Sequence, residues 1–138
     1  MSETPKPPHN PRALARGAEN YGEAYTKRVL DRLSAIDAGF SRLFQDFVYG
    51  GLYDRDVIDH KTRELCAVAG LTVAGHFPQL RAHFQACRNY GAKAEEIREV
   101  IFQMAVYGGI PAALSALDEF ERFRADAKPA LGFGGPRE

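Results

Sequence analysis

From Tyr25 onward, apolar residues recur at helical spacing along nearly the whole chain, punctuated by glycine and proline and without sustained period-two alternation. The pattern predicts an all-α domain of about six helices. Tyr25, Val29, Leu30 and Leu33 share one face of a helix over about Glu23 to Leu33. Phe40, Leu43, Phe44, Phe47 and Val48 form the apolar stripe of a second, from near Ala38 to Tyr49, which stops at Gly50-Gly51. A polar loop, LYDRDVID, follows. Asp59 is placed to cap a third helix that reaches Ala74 and ends at Gly75. Its interior, LCAVAGLTVA, is apolar on every side, as expected of a helix surrounded by others or by a neighbouring subunit. Pro78 can open a fourth helix, with Leu80, Phe84 and Cys87 at core spacing, that ends at Gly91. A fifth carries Ile97, Val100, Ile101, Met104 and Ala105 and halts at Gly108-Gly109; Pro111 can open the last, with Leu114, Leu117 and Phe120 inward.

The pattern fades at both ends. Residues 1–12 hold four of the eight prolines, and 128–138 are again rich in Pro and Gly, so both are expected to be mobile around a single domain over 13–127. A chain of 138 residues with 45% hydrophobic content suits one core. Eighteen basic residues balance eighteen acidic ones, which leaves no basic field to hold nucleic acid. No run of about 18 apolar residues can span a bilayer, and the N-terminus shows no targeting pattern, so the expected location is cytoplasmic. Cys66 and Cys87 match no C-x-x-C spacing and read as free thiols.

The largely apolar stretch RELCAVAGLTVAGHFPQLRAH carries a glutamate, Glu64, near its start and a histidine, His83, at its end. The short GHFP connection makes the third and fourth helices antiparallel neighbours. Glu64 lies roughly 16 Å before the turn and His83 roughly 12 Å after it, within one helical pitch of one another. The two can meet. A carboxylate and an imidazole in a poorly hydrated pocket suit general acid–base chemistry, although a satisfied structural ion pair fits the spacing equally well. A metal set of His60, Glu64, His76 and His83 is a weaker alternative, because His76 falls near the turn and no H-E-x-x-H spacing occurs. No G-x-S-x-G marks a serine nucleophile.

Three segments, in order, resemble the carboxymuconolactone decarboxylase family from about Tyr21 to Phe123. GGLYDRDVIDHKTREL is similar to the family loop W-G-x-x-W-x-R-P-G-L-D and the R-E-L after it, in Gly50, Arg55, Asp59, Arg63 and Leu65. QLRAH matches E-L-R-x-H through Leu80, Arg81 and His83, and GAKAEEIREVIFQMAVYGGIPAA matches the stretch that ends A-V-Y-x-G-x-P-A-A. Tyr49 and Tyr53 stand where the loop has tryptophans, Asp56 replaces its proline, Gln79 an acidic residue and His76 an arginine. The related alkyl hydroperoxidase D branch carries a C-x-x-C pair that would fall at His76 and Gln79, so its redox thiols are missing here.

The resemblance implies an oligomeric antiparallel bundle of the alkyl hydroperoxidase D type, a homotrimer or homohexamer with pockets near subunit contacts. It implies a cofactor-free decarboxylase of a carboxylated unsaturated lactone such as 4-carboxymuconolactone, in aromatic-compound degradation. As carbon dioxide leaves such a substrate, the electron pair passes into the conjugated carbonyl, so no cofactor is called for. His83 then becomes the expected proton donor and Glu64 its partner. Arg55, Arg63, Arg81 and His76 become candidates to hold the anionic lactone or a related carbonyl acid, and Tyr107 a lesser candidate beside them. A biosynthetic lyase or isomerase on another small acid, a thiol-dependent antioxidant protein, and a non-catalytic ligand-binding assembly remain as alternatives.

Overall fold

In a computed structural model, residues 9–133 are described, and among them the chain is helical with no strand. The helices are α1 (Pro11–Tyr21), α2 (Glu23–Ile36), α3 (Ala38–Phe44), α4 (His60–Ala74), α5 (Leu80–Asn89), α6 (Ala94–Gly108) and α7 (Ile110–Ala125). None of them is long and apolar enough to cross a membrane.

Helix α1 has no counterpart in the apolar pattern. Asn10 caps it by accepting from the Arg12 and Ala13 amides, and Pro11 takes the first position, where no amide proton is needed. It therefore begins inside the stretch expected to be mobile, while residues 1–8 and 134–138 of the two expected mobile ends lie outside the described residues. The chain reverses into α2 at Gly22, whose φ of 94° and ψ of 150° suit glycine alone. Against α2, Gly17 lets the two backbones close up: a Cβ there would lie 2.3 Å from Cγ2 of Thr26.

The second predicted helix requires correction. Its α-helical part stops at Phe44, and Gln45–Tyr49 wind as a π-helix closed by a 2.7 Å bond from the Gly50 amide to the Gln45 carbonyl. Phe40, Leu43 and Phe47, expected in the core, are 56%, 69% and 69% exposed. Ser41, Gln45 and Tyr49 face inward instead, because Gln45 bonds Ser41 and the Asn10 amide, and the extra residue per turn swings Tyr49 into the bundle. On α7, Leu114 is likewise outward, at 60% exposure.

Helix α4 ends as its sequence implies. Gly75 takes a left-handed conformation while its amide and that of His76 return to Thr72 and Leu71. The helix packs on α5 and α6, but only Glu64, Val68 and Thr72 are fully buried, and Cys66 and Val73 face outward. Helices α4 to α7 enclose Val68, Leu80, Phe84, Ile101, Phe120 and Phe123. A second cluster joins Ala13, Tyr21, Tyr25, Leu30 and Tyr49 to Ala82 and Ala86 of α5. Helix α5 is thus the wall between the two clusters, and His83 sits on it between Ala82 of one and Phe84 of the other.

Candidate active site

Glu64 and His83 meet across the α4–α5 hairpin, with His83 Nδ1 2.6 Å from Glu64 Oε2. A short 3₁₀ turn, Phe77–Gln79, leads into α5, and its steeper rise takes up part of the difference in height between the two positions. Glu64 is 1% exposed, whereas the His83 side chain is 16% exposed. The carboxylate is sealed and the imidazole has an edge toward solvent.

The other carboxylate oxygen is held from α1. Oε1 of Glu64 accepts from Asn20 Nδ2 at 3.2 Å and from the Tyr21 hydroxyl at 3.3 Å. Every hydrogen bond of the buried carboxylate is therefore to a group able to donate, as its desolvation requires. The Tyr21 ring meets the His83 ring edge-on at 5.6 Å, and Tyr49 and Tyr53 continue the aromatic wall at spacings of 5.7 and 6.0 Å. Burial first, and the Glu64 charge second, push the Tyr21 phenol well above its ordinary value. The same two causes raise Tyr53, and burial with the neighbouring Tyr25, Tyr53 and Glu64 raises Tyr49. All three phenols stay protonated near neutral pH and can donate.

The remaining sequence-predicted residues scatter. Arg63 comes nearest in role: its Nη2 donates to the Arg55 carbonyl at 3.0 Å, and its Nε is buried with no partner among the described residues. Its charge acts on Tyr53, which places it beside the aromatic wall. Arg55 offers its backbone carbonyl, while its side chain is exposed. Arg81 turns away to pair with Glu119 of α7, as its position two residues from His83 on a helix dictates. His76 is exposed at the hairpin turn, and Tyr107 is 68% exposed near the end of α6. His60 stacks on Tyr90, so the four-residue metal set is not assembled among the described residues.

Asn20 and Tyr21 were missed by sequence reasoning because α1 carries no long apolar stripe; the only cue is NYG, two polar-tipped residues ahead of a helix-stopping glycine. An open groove of about 1130 Å³ runs between the start of α2 and the segment Asp126–Leu131, and it reaches the pair only through Tyr21. Neither Glu64 nor His83 lines this groove, so the chemistry lies beside it.

The fold and site define a small all-α protein in which a sealed carboxylate orients an imidazole across a helical hairpin. More narrowly, the chain belongs to the carboxymuconolactone decarboxylase family, whose pattern matches residues 38–122. It is similar to a 4-carboxymuconolactone decarboxylase of Acinetobacter baylyi, 31% identical over 78% of this chain and 81% of that protein. An uncharacterized 15.0 kDa protein of Paracoccus denitrificans, from the nqo9-nqo10 intergenic region, is 40% identical over 76% of this chain and 78% of its own length. A nitrosuccinic acid decarboxylase of Metarhizium robertsii is 25% identical over 70% and 67%. Positions 16, 20 and 21 of α1 precede the matched residues.

Proposed function

We propose that this chain is a cofactor-free carboxy-lyase that acts on a small acid carrying its own electron sink, 4-carboxymuconolactone being the sharpest form of the reading. The observation that carries it is the 2.6 Å contact between sealed Glu64 and partly exposed His83. Both named decarboxylase relatives support the reaction class.

The substrate's carboxylate is met by the guanidinium of Arg63, which stands beside Tyr53 of the aromatic wall. The carbon–carbon bond to that carboxylate breaks, carbon dioxide leaves, and the electron pair enters the conjugated carbonyl. Tyr53, kept protonated by burial, donates to the oxygen on which charge grows. His83, entering the step as imidazolium with Nδ1–H on Glu64, delivers its Nε2 proton to the ring carbon, is left as the neutral Nδ1–H tautomer, and regains the proton from water. The substrate supplies the sink, so these steps need no cofactor. An antioxidant role through Cys87 is disfavoured, because burial and the Glu64 charge push that thiol up, away from the reactive thiolate.

Carbon dioxide release from 4-carboxymuconolactone tests the reading. Wild type is expected to turn over, with losses of roughly 10²- to 10⁴-fold in Glu64→Gln and His83→Ala, the usual worth of a positioned acid–base group. Full activity in both variants would sink the site assignment.

A further inference from the structure

A line of hydrogen bonds leads from the surface to the far oxygen of Glu64, and its direction can be read. Arg16 Nη1 lies 3.0 Å from the Tyr90 hydroxyl, and a guanidinium can only donate. The hydroxyl accepts from Arg16, so its own proton is free for the Asn20 Oδ1 with which it is bonded. That contact makes Oδ1 the acceptor and leaves the amide NH₂ to face Glu64 Oε1 at 3.2 Å. Asp54 and Glu19 hold the guanidinium at 3.1 and 3.2 Å, and Asn89 bonds the Asn20 carbonyl, so neither end swings freely. Asn20 is 1% exposed and has no room to reorient.

We infer that Asn20, oriented by Tyr90 and Arg16, is a positioning residue that fixes Oε1 of Glu64 as an acceptor, turns Oε2 to His83 Nδ1–H, and so presents Nε2 to the substrate. The inference rests on the decarboxylase reading for its consequence in catalysis, but not for its geometry. With the amide gone, Oε1 keeps only the longer bond from Tyr21, and the carboxylate can rotate about its last torsion. The imidazole then loses the partner that fixes its tautomer, as a metal-free counterpart of the support that second-layer carboxylates give to histidines. The first helix, outside the region shared with the family pattern, thereby belongs to the site rather than merely flanking it.

Nitrogen-15 shifts of His83 read this directly in the whole chain, with the imidazole neutral, in wild type, Asn20→Leu and Tyr90→Phe. Wild type is expected to show the Nδ1–H tautomer almost alone. Both variants should show a mixture, stronger in Asn20→Leu, with kcat down roughly tenfold and KM little changed, since an interaction used in the transition state has been weakened. Tyr90→Phe removes one oxygen and serves if Asn20→Leu does not fold. An unchanged tautomer in a folded Tyr90→Phe variant, or an Nε2–H wild type, would overturn the inference. A tautomer shift in a protein that releases no carbon dioxide from 4-carboxymuconolactone would uphold the positioning role and count against the decarboxylase reading alone.

Discussion

Tyr25 carries the clearest pH signature at the residue scale. Burial pushes its phenol up to about 12, and its hydroxyl donates to the Leu131 carbonyl at 3.2 Å. The folded state thus holds this proton more tightly than the unfolded chain does. Its contribution is fully present below the ordinary phenol value of 10.0 and is lost as pH rises through about 12. Tyr21, Tyr49 and Tyr53 shift in the same direction and add to the loss. Melting temperature should therefore hold up to about pH 10 and fall steeply beyond it, with Tyr25→Phe falling less. A wild-type melting temperature unchanged to pH 11 would contradict this. At the same scale, the Glu64–His83 contact was open to sequence reasoning, because a four-residue turn and a helical rise fix two heights along a hairpin. The third and fourth partners were not, because Asn20 and Tyr21 arrive from 44 and 43 residues away along the chain.

Helix α1 illustrates what apolar periodicity cannot reach. Its buried positions are Ala13, Gly17, Asn20 and Tyr21, of which only Tyr21 is a large ring, so a search for bulky stripes passes over it. Small residues are what allow it to lie close to α2. Gly17→Ala places a methyl 2.3 Å from Thr26 Cγ2 in a packed interface. We expect a loss of about 1–3 kcal/mol in chemical denaturation, the usual cost of overpacking, with Asn20 and Tyr21 displaced from Glu64 as well. An unchanged midpoint would mean that α1 is not held as described. The π-helix at Gln45–Tyr49 defeated the second element for a related reason. A period of 3.6 assumed through that stretch points Phe47 inward, whereas one added residue per turn and the polar anchors of Gln45 turn Tyr49 there instead.

Across the whole molecule, the all-α class and most helix ends follow from glycine, proline and apolar spacing. What single-chain packing leaves over is informative. Phe40, Leu43 and Phe47 on one side, and Phe102, Val106, Ile110 and Leu114 on another, are each at least 48% exposed. Apolar faces of that kind mark association surfaces, and α4, apolar all round, still shows Val73 outward. We propose that the chain assembles as a homotrimer or homohexamer through these faces. Sedimentation should give three or six times the chain mass, and Val106→Asp should lower it; a single-chain mass for wild type would contradict the proposal. The site depends on the hairpin that seals Glu64 and leaves His83 an edge. A double-mutant cycle on carbon dioxide release, using Glu64→Gln, His83→Ala and both together, tests whether that pair acts as one unit. The account predicts that the double variant is no slower than the slower single one; losses that multiply, or singles as active as wild type, would contradict it.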